Sequence, residues 1–240
     1  MSILFGNQQS IRAELPGQAR DITLIMPEGL STSDDHIALK HGIIYIHAAG
    51  VIGDVAEFGC FTGRSAALLA CVMASLLDHH DRKLWLFDSF QGMPVPTDAV
   101  DLASPQIGVW AWSANVDAQK VTDICAQPLG RDRVKVFPGW FESTLPSIPP
   151  EASFALVHVD CDLYLSAFQV LDHLFRHRHL ADGAMIFFDD WYCNRGRPDC
   201  GEQKAWDDMK KKNFYGSYSF TDYGPYGMVG HRFIVHRTDE

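Results

Sequence analysis

The sequence predicts an α/β fold: a doubly wound, mostly parallel seven-stranded sheet closed by a C-terminal antiparallel hairpin. Three observations point to it. Five short, nearly continuous apolar runs recur along the chain, the segments between them carry helical periodicity, and two strand-like runs joined by turn formers end it. The five runs are Asp54–Phe58, Lys83–Phe87, Arg133–Phe137, Phe154–Val159 and Ala184–Phe188. Runs of that length with little alternation suit strands buried on both faces.

The intervening helices follow in order. Ser65–Leu77 reads SAALLACVMASLL, apolar nearly all round, which predicts a core helix. Ser166–Phe175 places Phe168, Leu171, Leu174 and Phe175 on one face, with Ser166 set to cap it and Asp182-Gly183 as the turn into the next strand. Tyr215–Phe220 and His231–His236, joined by DYGPYGMVG, form the terminal hairpin. The whole chain, 1–240, reads as one domain without internal repeats. Residues 1–40 form an N-terminal cap with a helix start at Ser31 to Ser33. Residues 89–114, with three prolines and two tryptophans and no clear period, read as a lid.

Composition narrows the partners. Lys plus Arg total 20 against 30 Asp plus Glu, a formal net charge of −10. So negative a surface disfavours phosphate backbones and anionic lipids, which need a basic footprint. The longest charge-free apolar run, Ser65–Leu77, is 13 residues and too short to span a bilayer. The start of the chain carries no secretory signal pattern. The six cysteines form no CxxC pair and read as reduced thiols of a cytoplasmic protein; Cys193 and Cys200 are the one pair near enough for a regulatory disulfide. His79-His80 and His177-Arg178-His179 lack zinc-site spacing and read as solvated helix-end residues.

In an open parallel sheet, ligands sit beyond the carboxyl ends of the strands. After the first strand, Glu57-Phe58-Gly59-Cys60-Phe61-Thr62-Gly63-Arg64-Ser65 leads into the core helix. Its glycines permit a sharp turn and close ligand approach, and the helix offers free N–H groups. Asp88, at the tip of the second strand, suits the hydroxyls of a ribose, or else serves as an Asx-turn residue. Together the two features favour an adenosine-containing cofactor.

The fourth strand runs into Asp160-Cys161-Asp162 and the fifth ends in Asp189-Asp190. Neighbouring strand ends would crowd four carboxylates, and a divalent cation is the simplest neutraliser. Oxygen ligands without Cys or His favour Mg²⁺, Mn²⁺ or Ca²⁺ over zinc. The competing explanation, helix capping, has weight for Asp162 and little for the 189–190 pair. His158 and Tyr164 flank these acids as alternative bases, although strand alternation turns His158 away from the cleft.

With those residues in view, the chain resembles the class I S-adenosylmethionine-dependent methyltransferases, whose fold is Rossmann-like, and among them the macrocin O-methyltransferase family of antibiotic biosynthesis. The matching stretches are GDVAEFGCFTGRSAALLA (53–70), LWLFDSFQGMP (84–94), RVKVFPGWFESTLP (133–146), VDCDLYLSAFQVLDHL (159–174) and LADGAMIFFDDW (180–191). The resemblance implies that Glu57, Phe58, Gly59, Thr62, Gly63, Arg64 and Ser65 hold the methionine part of S-adenosylmethionine. It implies that Asp88 holds the ribose, with Ser89 and Phe90 beside it, and that Gly139 and Trp140 lie near the adenine. Asp160, Asp189 and Asp190 match the family's metal-binding acids, Asp160 also bordering the cofactor, and Asp162 matches its proposed general base. Cys60-Phe61 depart from the family's usual Val-Trp, and residues 1–40 match poorly.

The expected function is Mg²⁺- or Mn²⁺-dependent methyl transfer to a hydroxyl of a small natural-product acceptor, a glycoside or diol and foremost a sugar. Alternatives are a catechol-type phenol methyltransferase and an inactive cofactor-binding or scaffold protein. No nucleic acid or membrane partner is expected, and homo-oligomerisation stays open.

Overall fold

The central strands β3 (Asp54–Phe58) and β6 (Phe154–Val159) begin where their apolar runs begin. We describe a computed structural model, which covers residues 8–15, 18–25, 34–76, 81–105, 116–212 and 217–238. β1 (Gln8–Leu15) and β2 (Gln18–Ile25) pair as a separate antiparallel hairpin, followed by α1 (Asp34–Ala48). The main alternation runs β3 (Asp54–Phe58), α2 (Arg64–Ser75), β4 (Leu84–Asp88), α3 (Ala99–Leu102), α4 (Ala118–Leu129), β5 (Val134–Pro138) and α5 (Phe141–Thr144). It continues with β6 (Phe154–Val159), α6 (Tyr164–Arg176), β7 (Leu180–Phe188), α7 (Gly201–Lys210), β8 (Tyr218–Tyr226) and β9 (Gly230–Arg237).

Seven strands form one sheet in the order β5-β4-β3-β6-β7-β9-β8. The first five are parallel, while β9 runs antiparallel to both β7 and β8. From β3 the chain winds outward through β4 to β5, then returns to place β6 on the other side of β3. The β3–β6 boundary is therefore the topological switch point. Every residue of β6 is buried, and Phe58, Phe87 and Phe137 stack across three strands with centroids 4.8 and 4.4 Å apart. No helix among the described residues is long and apolar enough to cross a membrane.

Three boundaries differ from the sequence reading. α6 begins at Tyr164, so Ser166 lies inside it and does not cap it. The N-terminus is capped instead by Asp101 from the lid segment, whose carboxylate accepts from Tyr164 N (2.7 Å) and Leu165 N (3.1 Å). Second, β7 starts at Leu180 rather than after Asp182-Gly183; Gly183, at φ 79°, takes up a register shift within the strand. Third, β8 extends to Tyr226, well into the stretch read as a turn. Pro225 has no N–H to donate, which an edge strand tolerates, and a register shift lies between Asp222 and Gly224. Ser31–Ser33, His79-His80 and the tryptophans of the 89–114 segment lie outside the described residues.

His179, expected to be solvated, is buried, and its Nδ1 lies 2.8 Å from the Ala152 carbonyl. His173, His177 and His179 form a triangle of ring contacts. Burial, aided by His177 and His179 and opposed by Asp172, lowers His173 to about 4. An unfolded chain therefore takes up more protons at this position once the pH falls below the ordinary 6.5. Its contribution to stability is complete above that value and is lost on the way down to about 4. Thermal midpoints followed from about pH 7 to about pH 4 should fall less steeply in His173→Gln than in the wild type; identical slopes would refute this account. Separately, Asp101→Ala removes the α6 cap and should cost about 1–2 kcal/mol in urea unfolding; an unchanged midpoint would show that the cap contributes nothing.

Candidate active site

A cavity of about 580 Å³ opens beyond the carboxyl ends of β3, β4, β5 and β6, within the range of small-molecule sites. Gly59, Asp88, Gly139 and Asp160, each just at or past a strand end, form its floor; Val95, Asp101 and Val116 close it from the lid side. Gly59 allows the ends of β3 and β6 to meet. Its φ is 91°, and a Cβ there would stand 1.7 Å from the Asp160 carbonyl oxygen. Phe61 (φ 44°), Phe90 (55°) and Asp162 (56°) also line the cavity with left-handed backbone, a costly conformation for such residues that tends to gather at functional sites.

The loop after β3 is held by Asp88. Its Oδ2 accepts from Cys60 N (2.6 Å) and Phe61 N (2.8 Å), while Oδ1 accepts from Phe90 N (2.6 Å). The Asx turn weighed for Asp88 is thus present, and the same carboxylate anchors the neighbouring loop. A carboxylate oxygen can accept twice, so Oδ1 retains capacity toward a ligand in the cavity.

The expected cofactor residues divide into two groups. Gly59, Asp88, Ser89, Gly139, Trp140 and Asp160 line the cavity, as does Phe90. Glu57 and Phe58 do not: both are fully buried, Phe58 stacked on Phe87 and Glu57 turned toward His158. Thr62 and Gly63 form the turn into α2 and Arg64 and Ser65 its first residues, all outside the cavity wall; Gly63, at φ 78°, packs against Val121.

The acids gather as strand adjacency requires. Asp160 and Asp162 line the cavity, and Asp189 and Asp190 follow β7 directly behind them. Burial, then the Asp189 charge, hold the Asp160 carboxyl well above its ordinary value. Burial and Asp190 push Asp162 up to about 8, and burial with Asp189 raises Asp190 to about 6. Asp189 goes the other way. Burial would raise it, but His158, at 3.5 Å, and the Tyr226 hydroxyl, at 3.4 Å, outweigh burial and lower it. Among the described residues, no three His, Cys, Asp or Glu side chains stand arranged as ligands of one metal ion. Asp190 Oδ2 and Glu202 Oε1 are nonetheless buried without a hydrogen-bond partner.

His158 is turned from the cavity, as strand alternation predicts, yet it reaches the acids from beneath. The Tyr164 hydroxyl faces Asp208 on α7 (3.1 Å), away from the reacting region. Cys193 donates to Asp190 Oδ1 (3.2 Å), and Cys193 and Cys200 are both free. Sequence reading missed Glu202, whose Oε2 accepts from Asp190 N (2.9 Å), and Asp101. Glu202 looks like one more surface acid in GEQKAWDDMK, and Asp101 meets its partner 63 residues away, so neither carries a local signal.

Comparison with known proteins gives the family and the fold. The macrocin O-methyltransferase (TylF) family model matches residues 35–214. Mycinamicin III 3''-O-methyltransferase of Micromonospora griseorubida is 31% identical over 160 residues, covering 65% of this chain and 61% of that enzyme. The 8-demethyl-8-(2,3-dimethoxy-alpha-L-rhamnosyl)-tetracenomycin-C 4'-O-methyltransferase of Streptomyces olivaceus is 31% identical over 169 residues, covering 64% and 58%. The chain therefore spans about three fifths of the length of these relatives. In three dimensions it is similar to the O-methyltransferase NovP, with a TM-score of 0.70 at 23% identity, covering 85% of this chain and 80% of that one, a likeness of fold. By its sheet topology and by the family model spanning its core, the chain belongs to the macrocin O-methyltransferase family.

Proposed function

We propose that the chain transfers the methyl group of S-adenosylmethionine to a hydroxyl of a small natural-product acceptor, in the first instance a sugar. One observation carries the reading: a single cavity joins Asp88 and the Gly139-Trp140 turn to Asp160 and Asp162. Of the two relatives described above, one is named for 3''-O-methylation of mycinamicin III and the other for 4'-O-methylation of a rhamnosyl-bearing tetracenomycin. On this reading Asp88 accepts from the ribose through Oδ1, Gly59 keeps the floor clear, and Trp140 borders the adenine.

The acceptor oxygen bonds to the methyl carbon as the carbon–sulfur bond breaks, S-adenosylhomocysteine leaves, and the hydroxyl proton passes to Asp162. An alcohol is a poor nucleophile while it keeps that proton, so a base at the acceptor oxygen is required. Asp162 lines the cavity, where its carboxylate would meet the acceptor hydroxyl. Residues 89–105, the described part of the segment read as a lid, are tied to α6 through Asp101 and would exclude water from the cavity they border.

Asp160, Asp189 and Asp190 are the residues that would hold Mg²⁺ or Mn²⁺. The donor chemistry fits, with hard carboxylate oxygens gathered at neighbouring strand ends and one buried Asp190 oxygen without a hydrogen-bond partner. A cation there would supply positive charge beside the acceptor oxygen.

Incubating the purified chain with methyl-labelled S-adenosylmethionine and a panel of deoxyhexosides and catechols tests the reading. Label should appear on a sugar hydroxyl, fall to background with EDTA, and fall by about 100-fold or more in Asp189→Asn. Calorimetry should show S-adenosylmethionine binding that weakens about 10–100-fold in Asp88→Ala. Labelling only of catechols would reject the sugar acceptor, full activity in EDTA would reject the cation, and no cofactor binding would reject the reading as a whole.

A further inference from the structure

Beneath the acids, three ionisable side chains on three adjacent strands run into one another. Glu57 of β3 and His158 of β6 are register partners, and Asp189 directly follows β7, the strand paired with β6 on its other side. His158 Nδ1 lies 2.8 Å from Glu57 Oε1, a hydrogen bond. Nε2 lies 3.5 Å from Asp189 Oδ1, an ion-pair contact that completes no hydrogen bond and leaves that buried nitrogen aimed at the carboxylate as its nearest acid. Glu57 and His158 are 0% and 1% exposed, so neither can meet a ligand in the cavity. Burying a carboxylate is costly unless it is paired, and a leucine would fill the same space more cheaply.

We infer that Glu57 and His158 are positioning residues: Glu57 fixes the imidazole ring, and the ring's far nitrogen orients the Asp189 carboxylate at the edge of the active site. The inference rests on the functional reading above only for what Asp189 does once oriented. It gives Glu57, at the mouth of the cofactor loop, a role other than touching the methionine part of the cofactor. It also accounts for a histidine at a position that strand alternation turns away from the cavity. The Tyr226 hydroxyl, which donates to the same Oδ1 at 3.4 Å, is a second support. The arrangement resembles a histidine held by one carboxylate to serve another group, except that here the served group is itself a carboxylate.

The histidine-labelled full chain provides the first test, by ¹H–¹⁵N spectroscopy of the ring nitrogens. Glu57→Gln should move the Nδ1 signal of His158, and Asp189→Asn the Nε2 signal. An Nε2 signal unmoved by Asp189→Asn would overturn the inference whether or not the chain is a methyltransferase. In the second test, Mn²⁺ binding followed by electron paramagnetic resonance should weaken about 10–100-fold in folded His158→Gln, with the S-adenosylmethionine Kd unchanged. Adding His158→Gln to Asp189→Asn should produce no further loss, because the ring acts through Asp189 alone. Equal weakening of Mn²⁺ and cofactor, or fully additive losses, would mark a merely structural role and overturn the proposal. Wild-type chain that binds no Mn²⁺ would reject the metal reading instead, with the spectroscopic arm still deciding the positioning claim. Glu57→Gln, which keeps an acceptor for the ring N–H, should retain most of the Mn²⁺ affinity; a loss as large as that of His158→Gln would overturn the part assigned to Glu57.

Discussion

Crowding of negative charge at the ends of two neighbouring strands is the constraint on which the site depends. β6 and β7 run parallel and in contact, so Asp160 and Asp162 cannot be separated from Asp189 and Asp190 without breaking the sheet. Water would disperse that repulsion, but the acids are only partly exposed to it, and the structure answers in several ways. Asp160, Asp162 and Asp190 hold their protons more tightly, while Asp189 is charged and supported by His158 and Tyr226. The Asp190 backbone N–H is fixed by Glu202, itself a buried acid. Such an assembly is stable only as a whole: removing one partner leaves another buried charge uncompensated.

The remainder of the cavity is built outward from this point. Gly59 permits contact between β3 and the start of the acid segment, and Asp88 holds the loop that Gly59 begins. On the opposite side Asp101 fastens the lid segment to the first turn of α6, which itself follows Asp162. A carboxylate at a helix N-terminus satisfies N–H groups that would otherwise face the cavity. Each side of the site is thus held by carboxylate-to-backbone hydrogen bonds, Asp88 fixing the β3 loop and Asp101 the start of α6.

Most of this architecture was legible in the sequence because its signals are local. Five apolar runs marked five strands to within a residue or two at most ends, and adjacency of strand ends brought the acids together. What could not be read depends on distant pairing. Capping was assigned to Ser166 because a serine near a helix start is the local candidate; the carboxylate that wins comes from a segment with no periodicity. β8 ran past its expected end because edge position, a tertiary property, excuses Pro225. Glu57 looked like a cofactor ligand by its place in a motif, yet strand pleat turns it inward to His158. Alternation had correctly turned His158 from the cavity but could not say that two carboxylates waited on either side.

All of these features serve one claim: the end of the sheet where β3, β4, β5 and β6 terminate is where the methyl donor sits. Amide hydrogen exchange of the full chain, with and without S-adenosylmethionine, tests it most directly, since ligand contact protects the backbone locally. The account predicts protection concentrated in residues 59–61, 88–92 and 139–142, the segments that line the cavity, with β8 and β9 unchanged. Protection elsewhere with these three segments unaffected, at saturating cofactor, would contradict it.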